Sequence, residues 1–234
     1  VVLKEKMKEF DIDLFSPNGG AKPFEENIIV YPISCLKEKA LENNYAAIII
    51  GGGDLLRIDM NISLDYKNDI DTSLKIWQYP ISVGTELGIP IIINALGVPF
   101  SFPNKYKDFV KMILDKVDYI SVRDYSSKKF LDACNVKRVE VIPDTVICIN
   151  EIFSDKLLKI ERERLIKEEK IPNIEKYIIF QHNLAKIDSE DYLEGVRRLL
   201  DKVVNKGYKV LFMPIGYVHN DINFMKKVYD EKNE

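Results

Sequence analysis

The chain has 234 residues, of which 46% are hydrophobic and 30% are charged, the proportions of a globular protein with a sizeable buried core. Its net charge of -3 argues against the strongly basic surface with which proteins bind nucleic acids or anionic membranes. Its three cysteines form no Cys-x-x-Cys pair, which argues against a disulfide framework and for a reducing cytoplasm.

The first part of the sequence alternates helical patterns with short apolar runs. Tyr45–Ile50 is apolar on both faces and leads into a glycine triplet, which is typical of a central parallel strand covered by helices on both sides. The predicted elements before it are a helix over Val1–Phe10, a strand over Asp11–Phe15, a strand in Asn27–Ile33 and a helix over Leu36–Asn43 that Asn44 helps to end.

The middle of the sequence continues this alternation, which predicts a doubly wound parallel sheet. Tyr79–Phe100 is the most membrane-like stretch, but its prolines and glycines predict a helix end, a turn and a buried strand instead of a membrane span. The predicted elements are a loop over Asp59–Asp71, helices over Leu74–Leu87, Tyr106–Lys116 and Ser126–Cys134, and strands over Pro90–Ala95, Tyr119–Val122 and Val139–Ile142.

The composition changes after Asn150, where we predict a domain boundary. Residues 1–150 form an N-terminal Rossmann-like domain, residues 151–176 a charged helical linker, and residues 177–234 a partial C-terminal Rossmann-like domain. Two strands rarely form a stable sheet alone. We therefore expect the chain to be the middle of a longer protein, with partner chains that complete the sheets as the alternative. The predicted elements of this part are a helix over Asp155–Lys170, strands over Tyr177–Gln181 and Tyr208–Met213, and helices over Asp191–Lys206 and Asn220–Lys232.

Ligands of a doubly wound sheet bind at the carboxyl ends of its strands, so the residues that follow each strand are the candidates for function. Gly51, Gly52 and Gly53 allow a sharp turn and a close approach of the backbone to a ligand, although a tight structural turn explains them equally well. The triplet matches neither a P-loop nor a Gly-x-Gly-x-x-Gly motif.

Arg123 follows a predicted strand and precedes a predicted helix that Asp124 could cap. A guanidinium beside the amides of a helix N-terminus makes an anion site. The alternative is that Arg123 only pairs with Asp124 or with another acidic side chain.

The two histidines, His182 and His219, each lie just beyond a predicted strand of the second domain. Imidazole is well suited to proton transfer near neutral pH, so both are candidates for catalysis, with a structural role in loops as the alternative. Neither has cysteine partners at zinc spacing, and no Gly-x-Ser-x-Gly elbow of a hydrolase occurs.

Three segments together resemble the polysaccharide pyruvyl transferase family: YAAIIIGGGDLL, YISVRDYSSKKFLDACNVKRVEVIPDTV and VLFMPIGYVHNDINF. GIPIIINALGV is similar to the family's segment between the first two. The resemblance spans roughly Tyr45 to Phe224. It implies a GT-B-like fold, in which two Rossmann-like domains face a cleft.

The resemblance also implies an activity, the transfer of an enolpyruvyl unit from phosphoenolpyruvate to a sugar of a cell-surface polysaccharide, free or lipid-linked, with formation of a pyruvate ketal. It places Arg123 at the anion of the donor, with Lys128 and Arg57 as weaker candidates. It assigns His219 as the general acid, or as the acid-base that also aids the sugar hydroxyl. His182, chosen for its place beyond a strand and not from the resemblance, would line the same cleft with Asn183. The glycine triplet would form the wall of the first domain.

The same resemblance implies no metal or organic cofactor, and a cytoplasmic enzyme that works at the inner face of the membrane. Two other functions fit a fold of this class. One is a GT-B transferase that uses a nucleotide sugar, and the other is a non-catalytic binding module.

Overall fold

The computed structural model describes residues 7–17, 19, 29–58, 70–182, 189–213 and 221–229. These residues form an α/β structure in which helices and strands alternate and all paired strands are parallel. The arrangement is consistent with a Rossmann-like fold. The chain divides into two compact units, with the described residues up to Asp155 in the first and those from Lys156 in the second.

The first unit is built on parallel strands separated by helices. A short pair, β1 (Leu14–Ser16) and β2 (Val30–Pro32), precedes a four-stranded sheet. In that sheet the strands lie side by side in chain order: β3 (Ile48–Gly51), β4 (Ile91–Leu96), β5 (Tyr119–Val122) and β6 (Val139–Val141). The helices of this unit are α1 (Leu36–Asn43), α2 (Ile70–Leu87), α3 (Lys107–Leu114) and α4 (Tyr125–Asp132).

The core of the first unit lies along β4 and α2. Ile91 and Ile93 of β4 are buried, as are Trp77 and Ile81 of α2. The Trp77 indole donates a hydrogen bond to the carbonyl of Arg57 (3.1 Å), so its polar N–H is satisfied although the ring is buried. This contact ties α2 to the segment that follows β3 and so supports the carboxyl edge of the sheet.

Gly84 brings α2 close to β4, and we expect its replacement to destabilise the first unit. A Cβ at this position would lie 2.5 Å from Cγ1 and 2.9 Å from Cδ1 of Ile91, which is buried. Overpacking of this kind costs about 1–3 kcal/mol. Gly84→Ala should therefore lower the unfolding midpoint in urea, followed by circular dichroism.

Gly195 supplies the matched control, because it is also helical and a Cβ there would meet nothing within 4 Å. Gly195→Ala should be neutral or stabilise the protein by up to about 1 kcal/mol, since glycine is a poor helix former. Equal shifts of the midpoint in the two variants would contradict the close packing of α2 on β4.

The second unit contains three helices and two strands within its described residues: α5 (Asp155–Lys167), β7 (Tyr177–Phe180), α6 (Glu190–Asn205), β8 (Lys209–Phe212) and α7 (Asp221–Tyr229). The apolar residues of α6 recur at helical spacing, and Leu193, Val196 and Leu200 are buried. They form a small core with Phe224 and Val228 of α7. The second unit therefore has a hydrophobic core of its own.

Most of the predicted elements are confirmed. The helix over Leu36–Asn43 and the strand over Tyr119–Val122 match residue for residue. Tyr79–Phe100 contains the end of α2 and then the buried strand β4, as predicted. No helix in the described part of the chain is long and apolar enough to cross a membrane.

The helix predicted over Val1–Phe10 is wrong at its described end, because residues 8–10 form a turn in which the Phe10 amide donates to the Met7 carbonyl (3.0 Å). Phe10 is half exposed, so no packing stabilises a short helix at this point. Residues 1–6 and residues 59–69 of the predicted loop lie outside the described residues. The loop prediction is wrong at its last two residues, Ile70 and Asp71, which belong to α2.

Candidate active site

The carboxyl ends of β3, β4 and β5 are joined into one edge by backbone hydrogen bonds. The amide of Gly97, just beyond β4, donates to the carbonyl of Gly53 (3.0 Å), and the amide of Leu56 donates to the carbonyl of Gly97 (3.3 Å). On the other side, the amide of Arg123 donates to the carbonyl of Leu96 (3.1 Å). The residues that follow three neighbouring strands are thereby held at fixed positions.

The glycine triplet forms an exposed turn at this edge. Gly52 and Gly53 have φ values of 89° and 67°, in the left-handed region that glycine adopts without strain. A Cβ on either residue would meet no atom within 4 Å, so the turn also leaves open space beside the backbone. The geometry explains the two glycines by conformation, and it leaves room for a ligand against the turn.

A β-bulge near the end of β4 was not predicted from the sequence. Ile93 pairs with Ile120 and Leu96 pairs with Val122, so β4 has one extra residue between these pairs. Ala95 there has a φ of 49°, which is uncommon for a residue other than glycine. The buried Ser121 hydroxyl accepts a hydrogen bond from the Ala95 amide (2.9 Å) and donates to the Ile93 carbonyl (3.2 Å). These two bonds give the backbone groups at the bulge a partner where the ladder is interrupted.

Arg123 lies across this edge and pairs with Asp54, the residue that follows the glycine triplet. Its Nε is 3.7 Å from Oδ2 of Asp124. The alternative considered from the sequence, an acidic partner for Arg123, is therefore present, and the partner comes from the loop of β3. Both side chains are partly exposed, at 32% for Arg123 and 42% for Asp54. An ion pair this exposed contributes about 0–1 kcal/mol to stability.

Asp124 caps α4, as the sequence predicts. Its Oδ1 accepts a hydrogen bond from the Ser127 amide (2.7 Å), and this bond, aided by the Arg123 guanidinium, lowers the pKa of its carboxyl. The buried Ser127 hydroxyl accepts from the Val98 amide (2.9 Å), which ties α4 to the loop after β4. The N-terminus of α4, with its positive end of the helix dipole, is thus fixed beside Arg123.

We expect Asp124→Ala to destabilise the first unit by about 1 kcal/mol, the usual cost of losing an N-cap. Because the pKa of Asp124 is lowered in the folded state, its contribution to stability is complete above the pKa of the unfolded state. That contribution disappears as the pH falls through the pKa of the folded state. The loss of stability in Asp124→Ala relative to the wild type, measured by thermal unfolding, should therefore be constant near neutral pH and shrink below about pH 4. Asp124→Asn, which keeps the cap, should lose less at neutral pH. An equal loss of stability at every acidic pH would contradict a link between the protonation of Asp124 and the stability of the protein.

His182 lies just beyond β7 in the second unit, as predicted. Its Nε2 contacts the hydroxyl of Tyr192 on α6, and its ring lies 4.6 Å from that of Phe224 on α7. The imidazole is thus held at the carboxyl end of the strand by aromatic side chains and is partly exposed there. This geometry is compatible with a structural role and with a role in ligand binding.

Two other predicted site residues, Asn183 and His219, lie outside the described residues. Of the weaker candidates, Lys128 forms an ion pair with Asp132 one turn further along α4 (2.8 Å). Arg57 follows the Asp54 loop, and its backbone carbonyl accepts the Trp77 hydrogen bond.

Several residues that build the site were not predicted from the sequence. Asp54 is one of them, although an acid next to glycines at the same strand edge as Arg123 is a usable signal. Gly97, Ser121 and Ser127 gave no such signal, because their roles depend on contacts between separate strands.

The described residues contain no group of three or more His, Cys, Asp or Glu side chains that could hold a metal ion. The described polar groups of the edge are instead a guanidinium, two carboxylates and backbone amides at a helix N-terminus. Of these groups, the guanidinium and the amides of the helix N-terminus are the ones suited to recognising an anion.

The chain was compared with known families, curated proteins and solved structures. The profile of the family described as "Polysaccharide pyruvyl transferase" matches residues 3–233. No curated protein and no solved structure gives a significant match. The family match covers almost the whole chain and contains both the strand edge with Arg123 and the strand end with His182. The chain therefore belongs to the polysaccharide pyruvyl transferase family and is a transferase.

Proposed function

We propose that the protein transfers an enolpyruvyl unit from phosphoenolpyruvate to two hydroxyls of one sugar in a cell-surface polysaccharide, forming a pyruvate ketal. The observation that carries this proposal is the position of Arg123 at the carboxyl edge of the parallel sheet in a chain of this family. The acceptor sugar is part of the glycan itself or of its lipid-linked precursor.

Donor binding requires positive groups, because phosphoenolpyruvate carries both a phosphate and a carboxylate. Arg123 would donate to one of these anions, with the N-terminus of α4 beside it. The open turn of Gly51, Gly52 and Gly53 would form the wall of the donor pocket on the side of β3. Backbone amides at such a turn approach a phosphate closely without a side chain between them.

The transfer needs a proton at the methylene carbon of the donor. We assign His219 as the general acid that delivers it, which leaves an oxocarbenium-like centre at the carbon that carries the phosphate. One sugar hydroxyl attacks this centre, and attack by the second hydroxyl on the same carbon replaces the phosphate. One hydroxyl proton restores the acid and the other leaves with inorganic phosphate. No metal or organic cofactor takes part in this scheme.

We propose that the chain has the GT-B architecture, which contains two Rossmann-like domains. We infer that residues 1–150 and 177–234 form these domains and that residues 151–176 are the linker. His182 and Asn183 would bind the substrate. The enzyme would act in the cytoplasm at the inner face of the membrane, where lipid-linked sugars are accessible.

The test is incubation of the protein with phosphoenolpyruvate and bacterial polysaccharides or lipid-linked oligosaccharides. We expect phosphate release that depends on the acceptor, together with an acid-labile pyruvate ketal on the acceptor in mass spectra. Consumption of a nucleotide sugar instead of phosphoenolpyruvate would show a GT-B glycosyltransferase. Turnover of neither donor across the panel would favour a non-catalytic binding module.

A further inference from the structure

The guanidinium of Arg123 pairs with a residue of the loop after β3, which lies two strands away from β5 in the sheet. Arg123 follows β5, Asp54 follows β3, and their side chains meet above Gly97, which follows the strand between them. The pair thus spans three strand ends and crosses the middle one. An unpartnered arginine at the end of β5 would have several rotamers available and no reason to lie over β4.

Gly97 provides the space for this arrangement. A Cβ at residue 97 would clash with Oδ1 of Asp54 and would lie 2.9 Å from Nε and 3.0 Å from Cζ of Arg123. The φ of Gly97 is not in the left-handed region, so its backbone conformation does not require glycine. The close approach of the two side chains does require it.

The two carboxylates near Arg123 have different tasks. Oδ1 of Asp124 accepts a hydrogen bond from the Ser127 amide and so caps α4. Its other oxygen is 3.7 Å from Nε of Arg123, beyond hydrogen-bond distance. Asp54 accepts a hydrogen bond from Nη2 of Arg123. Because a guanidinium has five N–H donors in a planar fork, one edge of it can be held by Asp54 while another binds a second anion.

We propose that Asp54 is a positioning residue that holds the Arg123 guanidinium over Gly97, so that its remaining N–H groups bind the anion of the donor. This inference rests on the proposed function only in naming that anion as phosphoenolpyruvate. The exposed ion pair contributes little to folding, so the function of Asp54 lies in the orientation of Arg123.

The test is calorimetric titration of phosphoenolpyruvate into the wild type and into Asp54→Ala, Asp54→Asn and Gly97→Ala. We expect Asp54→Ala to raise the Kd about tenfold. Asp54→Asn should restore the Kd to within about threefold of the wild type, because an amide oxygen still accepts from Nη2 of Arg123. Gly97→Ala should raise the Kd like Asp54→Ala, because its Cβ occupies the place of the carboxylate.

Asp115→Ala is the matched control, because Asp115 is also a partly exposed carboxylate in an ion pair, with Lys111 on α3. Its Kd should equal that of the wild type. All four variants should unfold at the wild-type temperature, so that a loss of fold is not mistaken for a loss of binding.

The outcomes separate the two proposals. A wild-type protein that does not bind phosphoenolpyruvate overturns the proposed function. A wild type that binds it, with an unchanged or lower Kd in Asp54→Ala, overturns the positioning role alone, and a lower Kd would show that Asp54 competes with the anion. An Asn variant as weak as the Ala variant would also overturn it, because the hydrogen bond would then not be the cause.

Discussion

His219→Ala should lower kcat by about 10²- to 10⁴-fold, the range that positioned general acids contribute. In the proposed mechanism the methylene carbon of the donor must gain a proton before a sugar hydroxyl can attack, and alanine supplies none. The binding of phosphoenolpyruvate should stay within about twofold of the wild type, since its anions are assigned to Arg123. The two measurements are kcat for phosphate release and the calorimetric Kd of the donor.

The pH profile supplies the control for this assignment. A histidine acid is active when protonated, so the wild-type kcat should fall as the pH rises, and this limb should be missing from the residual rate of His219→Ala. If the variant retains full kcat, or if it loses donor binding and turnover equally, His219 is not the acid of the reaction.

Arg123→Ala should lower kcat/KM for phosphoenolpyruvate by about 100-fold or more. A guanidinium that donates two hydrogen bonds to an anion contributes about 3 kcal/mol or more, and each 1.4 kcal/mol corresponds to a factor of ten. Arg123→Lys should recover only part of the loss, because an ammonium lacks the planar fork that serves Asp54 and the donor together. Initial rates at varied donor concentration give both values.

Arg138→Ala is the matched control for Arg123→Ala. Arg138 lies directly before β6, at the opposite end of the same sheet, and is exposed. Its replacement removes the same charge and side chain from the same unit, so kcat/KM should not change. Equal losses in the two variants would point to net charge as the cause and would contradict a donor site at Arg123.

The fold was predictable where the sequence signal is local. Tyr119–Val122 is a short, mostly apolar run between two predicted helices, and it forms β5 without a change of boundary. Asn44 has a left-handed φ of 51° at the end of α1, a conformation that asparagine tolerates, so the sequence marks the stop of the helix directly. The bulge in β4 has no such signal in the sequence, because it depends on Ser121 of the adjacent strand.

The site was predictable in position but only partly in its contacts. The rule that ligands bind at carboxyl ends of parallel strands selected Arg123 and the glycine triplet, and the structure brings their loops together. The partnership of Arg123 with Asp54 joins residues 69 positions apart, so no local pattern predicts it. The role of Gly97 is likewise visible only when the side chains above it are in place.

The identity of the donor is the central claim, and separate titrations with two candidate ligands test it most directly. Phosphoenolpyruvate and uridine diphosphate would each be titrated calorimetrically into the wild type and into Arg123→Ala. We predict saturable binding of phosphoenolpyruvate that is lost in Arg123→Ala, with no binding of the nucleotide. Binding of uridine diphosphate without binding of phosphoenolpyruvate would contradict the account and show that the donor is a nucleotide sugar.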